Sequence, residues 1–244
     1  MSAPECLVPD WPVPAGVRAV MTTRRGGVSV GPYASFNLAT HVGDDERAVA
    51  ANRHRLRHAL GLPAEPAWLE QVHGTAVAVL ERGHAGPADA AVTFRRGEVC
   101  TVLVADCLPV FLAGNAGDRV GIAHAGWRGL AGGVIEATVA ALDCEPGSLV
   151  AWLGPSIGPE AFEVGGEVRE AFLERDAQAA GAFCGGSDGR YLADLPALAR
   201  RRLAALGIRD VRGGGLCTHA DPGRFYSYRR DGVTGRMAAL AWLA

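Results

Sequence analysis

Three side chains that can bind a metal ion or act in nucleophilic catalysis stand beside predicted strands. Cys107 follows an apolar run, His124 ends the next such run, and His73 lies in a turn before an alternating segment. Two histidines and one cysteine match a zinc site whose fourth position is open, which is the catalytic arrangement, whereas structural zinc has four protein ligands. The same atoms could instead form a Cys107 nucleophile with His73 or His124 as its base. The residue types leave both chemistries open.

Binding of an anion must depend on arginine or backbone N–H groups, because all 24 basic residues are arginine and the chain contains no lysine. This excludes a Schiff-base lysine and a P-loop lysine. Arginine keeps its charge and binds phosphate or carboxylate in a bidentate manner. Four arginines lie in motifs that could reach the metal, namely a turn after the first strand, a glycine-rich helix start and an aromatic cluster: Arg24, Arg25, Arg128 and Arg229.

The composition favours small-molecule chemistry in a reduced compartment. The 244 residues carry a net charge of −2, so there is no basic surface for nucleic acid or an anionic membrane. The six cysteines form no CxxC pair and no disulfide framework. Met1 to Pro14, with four prolines and two acidic residues, does not resemble a signal peptide, and the most apolar segment is too short to span a bilayer. We expect a cytoplasmic protein.

The hydrophobic pattern alternates between strands and helices, which predicts an α+β or mixed α/β fold. Short connections between apolar strands favour mixed β-sheets over a purely parallel one. The segment 236–243 fits a strand or a helix equally well. The other predicted strands are 17–23, 76–80, 98–105, 119–123, 149–153 and 211–217, and the predicted helices are 46–60, 130–142, 166–178 and 196–206.

Seven strings in a fixed order connect the chain with a known family. They are MTTRRGGVS, SFNLATHVGDD, QVHG, ADCLP, HAGWRG, LGPSIG and FYSYRRDGVTGR. On these motifs the chain resembles the YfiH/laccase-domain (multicopper polyphenol oxidase-like) family, described as purine nucleoside phosphorylases. The likeness runs from about Val17 to Leu243. It implies one domain over residues 1–244, with a proline-rich lead-in at 1–16 and a layered α/β/β/α sandwich of mixed sheets flanked by helices.

The resemblance also implies an activity and assigns residues to it. The activity is phosphorolysis of adenosine, inosine, guanosine and methylthioadenosine, with deamination of adenosine at the same site. The partners are purine nucleosides and phosphate, the protein is a monomer or small homo-oligomer, and the cofactor is zinc, with copper also possible. The implied metal ligands are His73, Cys107 and His124, the implied catalytic residues Arg24, Asp106 and Cys107, and the implied substrate contacts Arg24, Arg25, Asn37, His41, Arg128 and Arg229.

Two other functions remain open from the sequence. Some relatives are described as peptidoglycan-editing factors, which would use the same centre as an amidase on a muramyl nucleotide precursor. The second is a zinc-binding protein without catalysis, in which His219, at a position where relatives often carry tyrosine, supplies a fourth ligand. That protein would have a closed metal site and no pocket beside it. A multicopper oxidase fits poorly, because seven scattered histidines provide no HxH pairs.

Overall fold

A computed structural model describes residues 3–83, 86–185 and 188–244 of the chain. Its helices are α1 Glu46–Leu60, α2 Trp127–Gly132, α3 Val134–Ala141, α4 Gly166–Leu173, α5 Leu195–Ala205 and α6 Tyr228–Asp231. Its strands are β1 Cys6–Leu7, β2 Val17–Thr22, β3 Val77–Val79, β4 Ala90–Thr93, β5 Val99–Val104, β6 Leu108–Gly114, β7 Val120–Ala125, β8 Leu149–Leu153, β9 Glu163–Val164, β10 Phe183–Gly185, β11 Tyr191–Ala193, β12 Val211–Gly213 and β13 Met237–Leu243.

The strands form two large sheets and one small one. The four-stranded sheet has the order β1-β2-β13-β5 and is antiparallel throughout. The six-stranded sheet has the order β12-β8-β6-β7-β4-β3, with parallel pairs only at its two edges. The third sheet, β10-β11-β9, is antiparallel. The predicted fold class, α+β with mixed sheets and helices, is therefore confirmed.

The two large sheets pack face to face, and helices cover their outer faces. Strand β13 shows how the sequence produces this, because successive side chains of a strand point to opposite faces. Its residues Met237 and Ala239 belong to the core between the sheets, whereas Leu240 packs with Leu56 of α1 on the other side. Helices α3 and α5 cover the outer face of the six-stranded sheet. Because both faces of β13 are buried, its sequence is apolar throughout, which explains why strand and helix could not be distinguished.

Several predicted elements differ from the structure. The helix predicted over 130–142 is divided into α2 and α3 at Gly133, whose φ of 105° belongs to the left-handed region that glycine tolerates. The helix predicted over 166–178 ends at Leu173, and Asp176 caps a separate 3₁₀ turn. Six strands of the structure were not predicted from the sequence: β1, β4, β6, β9, β10 and β11. In the described part of the chain no helix is long and apolar enough to cross a membrane.

Candidate metal centre

Cys107 lies where the chain passes from one large sheet to the other. Strand β5 belongs to the four-stranded sheet and β6 to the six-stranded sheet, and only residues 105–107 connect them. Asp106 makes the turn with a φ of 93°, which is unusual for a residue other than glycine. Its carboxylate accepts hydrogen bonds from the Thr218 and Ser227 hydroxyls and from the backbone N–H of Arg229. The turn therefore fixes Cys107 at the edge of the sandwich and joins it to the segment that contains α6.

His124 is held from behind by a buried carboxylate. It lies near the end of β7, where only 3% of its surface is exposed, and its Nδ1 is 2.8 Å from Oδ1 of Asp89, which is completely buried. Because Nδ1 is engaged in this way, Nε2 is the nitrogen that remains for Cys107 or for a metal. A carboxylate behind a histidine ligand is the usual means of fixing the tautomer and orientation of the ring. Asp89 thus prepares His124 to act as a ligand.

The same carboxylate holds the loop that contains His73. The backbone N–H groups of Val72, His73 and Gly74 all donate to Asp89, at 3.1, 2.9 and 2.7 Å. His73 has a φ of 60°, a left-handed conformation that costs free energy for a residue with a Cβ. The three hydrogen bonds stabilise this conformation. Asp89 therefore sets the positions of both histidines at once.

The three candidate ligand atoms lie close enough together to share one ion. They are all within 4.8 Å of one another, and Sγ of Cys107 is 3.8 Å from Nε2 of His73. Tetrahedral zinc with a thiolate and an imidazole requires an S···N distance of about 3.6 Å. His73 is exposed and Cys107 is partly exposed, so the group opens to solvent on one side. The donor set and its spacing fit an open zinc site.

The electrostatics of the cluster favour a thiolate. Burial alone would raise the pKa of the Cys107 thiol, but the charge and hydrogen bonds of His124 and His73 lower it to about 6. Burial likewise opposes the charge on His124, yet the Cys107 thiolate and the hydrogen bond to Asp89 raise its pKa to about 9. Without a metal, the neutral-pH state is therefore a thiolate beside an imidazolium ion. Thiolate is the form of cysteine that binds metals.

Gly126 provides the space that the cluster occupies. A Cβ added at this position would lie 2.8 Å from Sγ of Cys107 and 3.0 Å from Cδ2 of His73. The glycine that follows the HA of HAGWRG is therefore required for close approach rather than for a special backbone angle, since its φ is −62°.

A cavity of about 560 Å³ opens beside the three side chains. Among the described residues its lining contains three arginines and no carboxylate. Trp127 and Tyr228 add aromatic surface. The lining residues are His41, Gln71, His73, Leu103, Ala105, Cys107, His124, Trp127, Arg128, Tyr228, Arg229 and Arg236. Such a cavity suits an anion together with a flat aromatic group.

Comparison with known proteins identifies the family. Residues 18–244 match the family described as multi-copper polyphenol oxidoreductase laccase. The chain is 53% identical to a purine nucleoside phosphorylase of Pseudomonas aeruginosa, and the match covers 97% of this chain and 98% of the relative. It is 52% identical to purine nucleoside phosphorylase YfiH of Escherichia coli, with coverage of 97% and 98%. The chain belongs to the YfiH laccase-domain family.

A solved structure supports the fold of this YfiH-family protein. A Neisseria meningitidis protein, 49% identical, superimposes with a TM-score of 0.94 over 98% of each chain. The multicopper description of the family has less support in the site itself. Within residues 3–83, 86–185 and 188–244, the cluster of His73, Cys107 and His124 is the only group of three or more potential ligands close enough to hold an ion.

The structure brings some predicted substrate contacts to the cavity and leaves others elsewhere. His41, Arg128 and Arg229 line it, together with the three candidate metal ligands. Arg24 is not among the lining residues; its guanidinium donates to the carbonyls of Ala34 and Pro222. Arg25 is also outside the lining and pairs with Glu5 at 3.3 Å. Their assignment as substrate or catalytic contacts stays a prediction.

Asn37 and His219 have contacts of a structural kind. The Asn37 side chain is fully buried and bonds to Asp44, to both backbone groups of Ala39 and to the N–H of Arg236. Asn37 is not among the described residues that line the cavity, and its assignment as a substrate contact stays a prediction. The carbonyl of His219 accepts a hydrogen bond from Arg230, and its ring belongs to no metal-binding group in the described part of the chain. The closed four-ligand site is therefore not what the described residues form.

Two residues with evident roles were missed by sequence reasoning. Asp89 is a single acidic residue inside the apolar segment ADAAVT, and an isolated carboxylate in such a run is a signal of a buried partner. Arg236 ends the motif FYSYRRDGVTGR and begins a segment that fits a strand or a helix equally well. Both signals are visible in the sequence, but neither indicates which distant residue is the partner.

Proposed function

We propose that this YfiH-family protein is a zinc-dependent purine nucleoside phosphorylase. The observation that carries the proposal is an open cluster of His73, Cys107 and His124 on the wall of a cavity that three arginines also line. Phosphorolysis needs a site for a phosphate anion beside a site for a planar purine. The names of relatives at about half identity support the same reaction.

The chain's own residues account for binding and orientation. His73, Cys107 and His124 would hold the ion, and Asp89 fixes the tautomer of His124 and the backbone of His73. Zinc, when bound, supplies a Lewis acid with an open position. Zinc is favoured over copper because a site of two histidines and one cysteine with an open fourth position is typical of catalytic zinc.

The reaction itself would take place in the remainder of the cavity. A phosphate oxygen attacks C1′ of the nucleoside, the bond from C1′ to the purine nitrogen breaks, and the bonding electrons leave with the purine. Arginines that line the cavity bind the phosphate and hold it in position for the attack. Trp127 and Tyr228 offer faces on which the purine can stack. Adenosine, inosine, guanosine and methylthioadenosine are the proposed substrates, and deamination of adenosine at the same site is a further part of the proposal.

The direct test is phosphate-dependent release of hypoxanthine from inosine by protein at full zinc occupancy. Cys107→Ala should reduce the rate at least about 1,000-fold, because loss of one of three ligands removes the ion. Cys184→Ser is the matched control, since Cys184 is exposed and belongs to no metal-binding group among the described residues. Absence of phosphorolysis in zinc-loaded wild-type protein would contradict the proposal.

A second assay on the same sample distinguishes the amidase function from the phosphorylase function. A Cys107 thiol with a pKa near 6 is also suited to nucleophilic attack on an amide. Hydrolysis of a muramyl nucleotide precursor without any release of hypoxanthine from inosine would favour that function. Release of hypoxanthine alone would favour the phosphorylase.

A further inference from the structure

The arginines of the metal-bearing cavity lack acidic partners. In the described part of the chain, none of Arg128, Arg229 and Arg236 forms an ion pair with a carboxylate, although nine other arginines do. The guanidinium of Arg128 lies over the ring of Trp127, and Arg229 donates to the carbonyl of Glu163. A partly buried guanidinium without a counter-charge is costly unless an anion binds to it.

Arg236 is the least solvent-exposed of the three. Arg128 and Arg229 are exposed, whereas Arg236 is only partly exposed, and burial lowers the pKa of its guanidinium. Arginine nevertheless stays charged at neutral pH. Charge–dipole and charge–charge interactions strengthen as water is excluded. An anion would therefore gain most from contact with Arg236.

The side chain of Arg236 is also held in a fixed position. Just before β13, its backbone N–H donates to Oδ1 of Asn37, and its Nη1 donates to the carbonyls of Thr234 and Gly235 at 2.9 and 3.1 Å. These contacts use one end of the guanidinium. Nε and Nη2 make no hydrogen bond within the described residues, so this edge remains for a ligand.

Arg236 lies close to the candidate metal ligands as well as to the other polar residues of the cavity. Its positive charge lowers the pKa of His41, after the larger effect of burial, and the charges of Cys107 and Asp106 act in turn on Arg236. Arg236 and Cys107 line the same cavity, so the side chain lies in the space where a co-substrate must meet the substrate.

We propose that Arg236 is the residue that binds inorganic phosphate in the active site, with Arg128 and Arg229 as exposed cations nearby. The inference rests on the proposed phosphorylase function, which requires a phosphate next to C1′ of the nucleoside. The planar fork of arginine binds two phosphate oxygens at once, so the anion is oriented as well as held. The sequence had suggested only Arg24, Arg25, Arg128 and Arg229 for this task.

The experiment compares zinc-loaded wild-type protein with Arg236→Gln, Arg236→Lys and a control. The control is Arg175→Gln, because Arg175 lines a different cavity. Thermal melting is measured with increasing inorganic phosphate, and steady-state kinetics give separate KM values for phosphate and inosine. Arg236→Gln should raise the KM for phosphate about 10- to 100-fold and abolish the rise in Tm on adding phosphate, with little change in the KM for inosine. Arg236→Lys should give an intermediate KM for phosphate, since it keeps the charge and loses the fork.

The outcomes separate this inference from the function on which it rests. If phosphate raises the Tm of wild-type protein and of Arg236→Gln equally, or of neither, Arg236 does not bind phosphate. If the rise in Tm requires Arg236 but no phosphorolysis is detected, Arg236 binds phosphate as proposed, but the protein is not a phosphorylase. If Arg236→Gln does not fold, an Arg236→Lys variant with an unchanged KM for phosphate would overturn the inference.

Discussion

Two cavities of this protein are rich in arginine, yet their arginines have different surroundings. The cavity beside His73, Cys107 and His124 has three arginines and no carboxylate in its described lining. The second, of about 850 Å³, is lined by four arginines together with the acidic residues Glu136 and Asp176. There Arg202 pairs with Glu136 at 3.2 Å and Arg201 with Asp176 at 2.6 Å.

The difference shows that the role of an arginine in a cavity depends on whether a carboxylate of the protein is paired with it. In the second cavity Arg201 and Arg202 are paired with carboxylates, and Arg200 is bonded to two backbone carbonyls. In the first cavity none of the three arginines is paired with a carboxylate of the described residues, and all three lie in the same lining as the candidate metal ligands. We therefore expect ligand binding in the first cavity and a structural role for the second.

The largest expected difference between the two cavities comes from removing the negative charge of Asp89, which lies behind the candidate metal ligands of the first. Asp89→Asn keeps the shape of the side chain but weakens the acceptor for His124 and for three backbone N–H groups. Zinc affinity should fall about 10- to 100-fold, as it does when carboxylates behind histidine ligands are lost. Competition with a chromophoric chelator measures the affinity. Asp176→Asn, in the second cavity, is the control, and an equal loss of affinity there would contradict the distinction.

The pH dependence of zinc binding tests the electrostatics of the first cavity. His124, with a pKa raised to about 9, must lose a proton before Nε2 can bind the ion, so affinity falls as the pH decreases below about 9. Between pH 9 and pH 6 we expect a decrease of about tenfold per unit. Below about pH 6 protonation of Cys107 should make the decrease steeper. Calorimetry in buffers of different ionisation enthalpy should detect about one proton released at pH 7.5. Affinity that is constant from pH 6 to pH 9 would be inconsistent with the thiolate–imidazolium pair.

A smaller effect is expected from filling the space beside the ligands. Gly126→Ala places a methyl group against Cys107 and His73 and should lower zinc affinity about tenfold, because the two ligands must move apart. Gly166→Ala is the matched control, since a Cβ there meets nothing within 4 Å. Competition with a chelator measures the zinc affinity of both variants. Equal affinities in the two would show that the cluster tolerates displacement.

The smallest effect should come from the second cavity. Arg202→Gln removes a partly exposed ion pair with Glu136 and should lower the free energy of unfolding by about 1 kcal/mol or less. The KM for phosphate should not change. Urea denaturation and steady-state kinetics provide the two measurements. A rise in the KM for phosphate would mean that both cavities bind the anion and that the distinction between them is wrong.

The sequence by itself determined the chemistry available to the protein. Strand-end positions and residue types selected His73, Cys107 and His124 as a possible ligand set, and the absence of lysine restricted anion binding to arginine and backbone N–H groups. The apolar runs also gave the fold class and several elements, including the helix Glu46–Leu60, because local periodicity and caps are encoded within a few residues.

Only the tertiary structure decided which of these residues meet. Asp89 contacts His124 across 35 positions of the chain, and Arg236, just before β13, lines the same cavity as Cys107. Three residues carry the chain from β5 in one sheet to β6 in the other, a change that no local pattern reveals. Whether two charged side chains form an ion pair depends on the distance between them. That distance is set by the packing of the two sheets and cannot be derived from the local sequence. For this reason the sequence could name candidate arginines, whereas the fold determined which of them remain unpaired beside the candidate metal centre.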